Sequence, residues 1–547
     1  MDYSKQIKEF FKGEVLQDEA TLATYSVDTS LINVRPKLVV FPKDTEDIKN
    51  LVRFVNEHRK EDPTLSITVR AAGTDMSGGP LNESIIADVS KHISGVPSVN
   101  TVTRTVKVLP GTFYRDFEKE TFKHGLLLPC YPASKNLCAI GGMIGNNCAG
   151  EKTLVYGKME DYIESLKVVF ADGNEYEVRP LSRDELQRKM SQGDFEGDVY
   201  KKIYELIEQN KEAIMAAKPK VKKNSSGLYL WNVWQGEKFN LCRLIVGSQG
   251  TLGIVTEATL NLVPTKKHSL LYVIFLNDLK PVAPLVNELL KFQPESLESY
   301  DDHTLKLAIR FLPGIWKSMK AKNFLKFILS FLPEVGMVLT GGLPKLVVLA
   351  EFAGNDKDQL EETLKKVEEQ IKKFHLKTHI TRSPEEASKY WTIRRESFNL
   401  LRQHVHGRRT AAFIDDIVVN PEHLPEFWPK LMKLLDDYKL VYTVAGHAGS
   451  GNFHVIPLMD MKKEENHKIV IELSEKVYDL VLAYGGSITA EHNDGIIRTP
   501  YLKKMFGEKI LALFQETNLI FDPLDIFNPG KKGAREIKYL KQHLVYI

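Results

Sequence analysis

The sequence predicts an α+β protein built from two unlike parts, and three observations carry that prediction. The chain has 547 residues, room for about three to four units at roughly 150 residues each. Up to about residue 262, short β-prone runs alternate with short helices and glycine-rich turns. From about residue 266 the texture changes to longer helices between longer apolar strands, which marks a second domain.

The elements follow in order. LVVFP at 38–42 reads as a strand, and DTEDIKNLVRFVNEH at 44–58 as a helix opened by Asp and Thr. SITVRAAG at 66–73 is a strand that runs into small residues. TVKVLPG at 105–111 is a strand and TFYRDFEKETFKHG at 112–125 a helix. ESLKVVFADG and NEYEVRP form a hairpin with Asp172-Gly173 as its turn. Residues 241–262 repeat the strand–turn–strand style. In the second part, LLYVIFL and LVVLAEFAG are strands, and DKDQLEETLKKVEEQIKKF at 356–374 is a helix. No internal repeat and no low-complexity run is present.

Composition narrows the function. Lys+Arg is 74 and Asp+Glu 71, a net charge of +3, which argues against nucleic acid as a partner because phosphate neutralisation needs a basic face. Cys130, Cys138, Cys148 and Cys242 contain no C-x2-C pair, so neither a disulfide scaffold nor an Fe–S or zinc-ribbon module is expected. The charged N-terminus is not a secretory signal. No run reaches ~18 uninterrupted apolar residues, and the expected compartment is the cytoplasm. GIWKSMKAKNFLKFILSFL, at 314–332, is basic and amphipathic. It reads either as a helix packing on its own domain or, with its flanks from 310 to 345, as a peripheral membrane contact.

Three stretches are rich in glycine and small residues: VRAAGTDMSGG at 69–79, CYPASKNLCAIGGMIGNNCAG at 130–150 and LIVGSQGTLGIVTEATL at 244–260. None fits G-x-G-x-x-G or G-x-x-x-x-G-K-[ST], so no Rossmann site or P-loop is supported. Each alone could be a structural turn. Together they point to one elongated ligand crossed by several loops, because small residues let backbone N–H groups approach closely. GHAGSGNFH sets His447 and His454 seven apart around a Gly-Ser-Gly turn, and SITAEHNDG adds Glu491 and His492. Two imidazoles and a carboxylate suit an open divalent site. A lone histidine is more often structural. His303, His404 and His406 fit no motif and are assigned to surface or packing.

These stretches, with KKNSSGLYL at 222–230, YWTIRRESF at 390–398 and FNPGKK at 527–532, occur in an order that resembles the FAD-linked oxidases of the p-cresol methylhydroxylase/vanillyl-alcohol oxidase superfamily. Within it the chain is most similar to the D-lactate, D-2-hydroxyglutarate and glycolate dehydrogenases of the D-2-hydroxyacid branch, over about residues 36–533. The resemblance implies an N-terminal helical arm at 1–35 and a two-lobed FAD-binding domain of PCMH type at 36–265. It also implies an α+β cap domain at 266–515, an antiparallel sheet with flanking helices. A segment at 516–547 then returns to the FAD domain.

It further implies FAD contacts from Ala72, Gly73, Thr74, Asp75, Ser77 and Gly78, from Pro132, Gly141, Gly142, Gly145 and Asn147, from Gly253, Ile254 and Val255, and from Asn528. Covalent relatives carry a histidine where this chain has Thr74, so the FAD is expected to be non-covalent. By the same resemblance, His447, His454 and Glu491 hold Zn or Mn. His492 is the general base, and Arg394 clamps the substrate carboxylate, with Arg395 as its neighbour and competitor. The chain departs from the family at Ala71 and Ala72 for glycines, Gln249 for Glu, Ser450 for Asp and Asn493 for Gly.

The implied reaction is oxidation of a 2-hydroxy acid to the 2-oxo acid, with hydride passing to flavin N5. Electrons would leave to an external acceptor: an Fe–S protein, an electron-transfer flavoprotein, a quinone, a cytochrome or oxygen. A homodimer is left open. Two rival readings are an alkylglycerone-phosphate synthase-like transferase and a flavin-binding protein without catalysis.

Overall fold

The apolar runs of the sequence become three large sheets, beside two short two-stranded ones, in a computed structural model that describes residues 3–310, 342–381, 383–404 and 408–546. The first lobe holds β1 (Glu14–Leu16), β2 (Leu38–Phe41), β3 (Ile67–Arg70) and β4 (Ile85–Asp88), in the order β1-β2-β4-β3. β4 runs parallel to both β2 and β3. That geometry needs crossover connections, and helix α1 (Thr45–His58) supplies one. α1 starts where the Asp44 side chain accepts from the Asp47 N–H, and it buries Ile48, Leu51, Val52 and Val55 on one stripe.

The second lobe is an antiparallel sheet of β5 (Ser98–Asn100), β6 (Thr105–Val108), β7 (Ile163–Val169), β8 (Glu175–Val178) and β9 (Ile254–Asn261), ordered β5-β6-β9-β7-β8. β7 and β8 form the expected hairpin, and Gly173 takes φ +75° in its turn. Buried and half-buried residues alternate strictly along β9, as a strand with one face on a core requires.

The cap sheet has eight strands: β10 (His268–Leu276), β11 (Ser296–Asp301), β12 (Leu346–Gly354), β13 (Lys377–Ile380), β14 (Arg409–Thr410), β15 (Ile417–Val418), β16 (Val441–His447) and β17 (Asn452–Met459). The order is β13-β10-β12-β11-β16-β17-β14, with β15 also on β17. β10 and β12 are apolar on both faces because both are covered. Tyr272, Ile274 and Leu276 pack under the helices Val282–Leu290 and Lys357–Ile371. Leu271, Val273 and Phe275 pack against Tyr390, Trp391 and Ile393 of the helix Pro384–His404.

The chain returns to the first part earlier than residue 516. The helix Leu502–Phe521 already packs in the second-lobe core through Leu502, Phe506, Leu513 and Phe514. The stretch is kinked at Gly507, which takes φ +77°, and a boundary at 516 would cut the face of the part beyond the kink, which buries Ile510, Leu513, Phe514, Thr517 and Phe521 together. Ile526 and Phe527 then join the first-lobe core, and the Asn528 N–H donates to the Ile67 carbonyl at 2.8 Å.

Among the described residues no helix is long and apolar enough to cross a membrane. The basic amphipathic stretch lies outside the described residues, as does His406.

Candidate active site

Where the two lobes meet the cap, a cavity of about 310 Å³ opens. Its walls come from the three glycine-rich stretches, with cap residues closing one end.

The first stretch leaves β3 and turns back. Ala72, Gly73, Thr74 and Asp75 line the cavity. Gly73 has φ +65°, a backbone conformation that strains any other side chain. Ser77 and Gly78 lie beneath the surface and shape the loop. The Ser77 hydroxyl donates to Asp75 Oδ1 at 2.8 Å, and the Gly78 N–H donates to Asp28 Oδ2 at 3.0 Å. Burial, with Asp75 nearby, pushes the Asp28 carboxyl up to about 7.

In the second stretch Pro132, Gly141, Gly142 and Gly145 line the cavity. The helix Ile140–Asn146 presents a bare flank. A Cβ at Gly142 would meet only Ala71 Cβ, and one at Gly145 only Gln249 Cα, each at 3.9 Å. Asn147 is buried at φ +49° and accepts from the Glu160 N–H, so it holds the loop from behind.

In the third stretch Gly253 and Val255 line the cavity. Ile254 between them faces the first-lobe core, as strand alternation demands. Asn528 is also behind the wall. Its amide donates to the carbonyls of Gly79 at 3.0 Å and Gln249 at 2.7 Å, tying two loops together. Gln249 donates to Asp75 at 3.2 Å and accepts from the Gly495 N–H. A Glu there would set another carboxylate against Asp75, whereas the amide supplies a donor.

The long trough, walled by backbone and small side chains and bounded by a glycine-bare helix, fits an extended flavin dinucleotide. Ala72–Asp75, Gly141, Gly142, Gly145, Gly253 and Val255 are the residues that would hold it.

The cap end is built on the β16–β17 hairpin. Ala445 pairs with His454, and His447 pairs with Asn452, so both histidines project from one face. The turn needs Gly451 at φ +67°, where a Cβ would meet the Val419 carbonyl at 1.9 Å. Three imidazoles converge on one oxygen. From Glu491 Oε1, His447 Nε2 is 3.1 Å away, His454 Nε2 3.4 Å and His492 Nε2 3.9 Å. The other oxygen, Oε2, is taken by the buried Lys223 ammonium at 3.1 Å. Burial opposes ionisation of Glu491, yet Lys223 and His447 hold it well below the usual carboxylate range. Burial pushes the His454 imidazole down, and its Nδ1 has no hydrogen-bond partner. A neutral imidazole, a second ring and an ionised oxygen are the donor set of a borderline divalent ion. Asp416 lies within reach of His454, Glu491 and His492. Its Oδ2, however, already accepts from Thr489 Oγ1 and the N–H groups of Ala490, Glu491 and His492 at 2.6–2.9 Å. Asp416 therefore shapes the loop through Oδ2, while its Oδ1 accepts from Asn452 Nδ2 at 3.0 Å.

His492 lines the cavity. Its Nδ1 pairs with Asp415 Oδ2 at 2.8 Å, which leaves Nε2 facing inward. Asp415 is held in turn by the fully buried Arg498. Burial would lower the His492 pKa, but Asp416 and Asp415 raise it to about 9. Asn493 takes φ +67°, which asparagine tolerates, and its amide donates to the Gly247 carbonyl at 2.9 Å.

Arg394 lines the same end, 3.2 Å from Glu298 Oε2. Glu298 Oε1 meets His447 Nδ1 at 2.6 Å, so one carboxylate orients both. Arg395 lines the cavity too, but its guanidinium is engaged by both oxygens of Glu151. His303 stands apart, beside Asp301 and Asp302.

Lys223, Glu298, Asp415, Asp416 and Arg498 are functional candidates that motif reading did not single out. One signal was available. Asp415 and Asp416 interrupt the apolar run 411–419, and a charge pair in a buried run is rarely idle.

Two family models match the chain. One is described as FAD binding domain, over residues 36–179, and the other as FAD linked oxidases, C-terminal domain, over residues 265–532. D-2-hydroxyglutarate dehydrogenase from Pseudomonas putida is 29% identical over 95% of this chain and 50% of its own length. The chain thus spans about half the length of that relative. Glycolate oxidase subunit GlcD from Bacillus subtilis is 24% identical over 94% of this chain and 93% of its own. The structure of p-cresol methylhydroxylase with substrate bound superposes with a TM-score of 0.68 at 15% identity, covering 98% of this chain and 96% of that one. That likeness is one of fold.

Proposed function

The chain belongs to the FAD-linked oxidases, and from that premise we propose that it oxidises a D-2-hydroxy acid of the lactate, glycolate or 2-hydroxyglutarate type to the 2-oxo acid. One observation carries this reading: three imidazole nitrogens gather around Glu491 Oε1 at the end of the cofactor trough, beside Arg394. A site with a carboxylate clamp, a proton acceptor and a polarising centre is what a 2-hydroxy acid requires.

FAD, held non-covalently with Thr74 at the first loop, supplies the hydride acceptor when bound. A divalent ion, Zn or Mn, on His447, His454 and Glu491 would polarise the substrate hydroxyl when bound. The remaining work belongs to the chain. Arg394 pairs with the substrate carboxylate, for which a planar guanidinium suits better than an ammonium. His492 takes the hydroxyl proton at Nε2 from its neutral form, which the charge of a bound divalent ion would favour over the imidazolium, while Asp415 at Nδ1 fixes its tautomer and steadies the imidazolium that results. Closure of the cap over the trough keeps water from the reacting carbon. The electrons pass on to an external acceptor.

The test is anaerobic mixing with D-lactate, glycolate and D-2-hydroxyglutarate, with metal content measured on the same sample. The expected result is bleaching of the flavin band by at least one acid, abolished by chelation and restored by Zn or Mn. No bleaching by any of them would overturn the proposal.

A further inference from the structure

The cap wall of the cavity is formed by Thr304, Thr443, Ala445 and Ile456, next to Arg394 and His454. Thr304 is 1% exposed, and among the described residues its hydroxyl has no hydrogen-bond partner. Its backbone is fixed where β11 gives way to the helix Asp302–Arg310, with the Thr304 N–H donating to Asp301 Oδ1 at 2.8 Å. That helix packs on the helix carrying Arg394. A hydroxyl that is both buried and unpaired lowers stability, so such groups normally find a partner inside the protein. Here the side chain borders a cavity; Thr443 also carries a hydroxyl on this wall, whereas Ala445 and Ile456 have no side-chain donor or acceptor.

We propose that Thr304 is a substrate-contacting residue whose hydroxyl donates to a carboxylate oxygen of the bound 2-hydroxy acid, beside the Arg394 clamp. The inference rests on the oxidation reading above, and its test separates the two. An orphan hydroxyl kept for a ligand has an unusual signature. Removing it leaves the empty protein as stable as before, or more so, while weakening binding. A hydroxyl kept for the fold does the reverse.

Thr304→Val removes the hydroxyl at nearly constant shape. The expected result is full flavin content, a melting temperature equal to or above that of the parent, and a KM raised about 10- to 100-fold with a smaller change in kcat. Thr304→Ser keeps the hydroxyl and should hold KM within a few-fold of the parent. An unchanged KM in Thr304→Val overturns the proposal, as does a melting temperature lowered by several degrees with normal KM. If none of D-lactate, glycolate and D-2-hydroxyglutarate bleaches the parent flavin, the oxidation reading falls and binding is read from thermal shifts with the same acids. A shift in the parent that Thr304→Val loses sustains the contact. Equal shifts, or none in either protein, overturn it.

Discussion

Glu491 shows how single residues set this site. One oxygen faces three imidazoles, and the other is fixed by Lys223, which is 1% exposed. Breaking a buried pair strands a charge and costs about 3–5 kcal/mol, whereas removing both partners costs much less. Lys223→Met is therefore expected to lower the urea unfolding free energy by that amount, and Lys223→Met with Glu491→Gln to recover most of it. Equal losses in the single and double variants would show that the pair is not coupled. His492→Ala should keep bound flavin and lose reduction by substrate, read from the flavin band. Part of this was legible: His447, His454, Glu491 and His492 stand in motifs whose spacing the sequence displays. Lys223 was not. It lies in the KKNSSGLYL run, but its partner is 268 residues away, and a surface lysine and a buried one look alike until the chain folds.

At the scale of elements, the site depends on one hairpin and one loop. The β16–β17 turn was readable because Gly-Ser-Gly between two apolar runs demands a reversal. Gly451→Ala should destabilise the protein by about 1–3 kcal/mol through its left-handed backbone alone. The clash with the Val419 carbonyl adds to that, and the shift should appear in the urea midpoint together with weakened metal retention. The loop 489–493 is gathered around Asp416, whose carboxylate accepts four of its donors. Asp416→Ala should release it, so that protein loaded with added Zn or Mn loses the ion on dialysis faster than the parent while flavin stays bound. The glycine stretches announced a ligand trough, but strand and helix geometry decides which of their residues face it. Gly253 and Val255 line the wall while Ile254 turns away, and Ser77, Gly78, Asn147 and Asn528 support it from behind. Composition does not carry that distinction.

Across the whole molecule, the change of texture near residue 266 marks where the cap sheet begins, with β10 at His268. The cap's seat on the FAD domain was not visible, because its ties join residues far apart. Arg395 grips Glu151 across 244 positions, and Lys152 pairs with Glu295 across 143. Burial works against the Glu151 carboxylate, yet Arg395 holds it at about 2 instead of 4.5. A depressed folded pKa gives stability that is fully present above 4.5 and lost as pH falls toward 2. The contribution is about 3 kcal/mol. The unfolding free energy of the parent should therefore fall more steeply between pH 4.5 and 2 than that of Glu151→Gln. Parallel curves would remove Glu151 as the acid-sensitive tie.

In the proposed reaction trough and histidine end act together: FAD bound in the trough would accept the hydride of the substrate carbon, and His492 takes the hydroxyl proton. Anaerobic rapid mixing of the FAD- and metal-loaded protein with D-lactate, glycolate or D-2-hydroxyglutarate, each with hydrogen or deuterium at the hydroxyl-bearing carbon, tests it most directly. Flavin bleaching is expected to be slower with deuterium and absent in His492→Ala. A flavin band unmoved by every acid, or bleaching that is equally fast in His492→Ala, would contradict it.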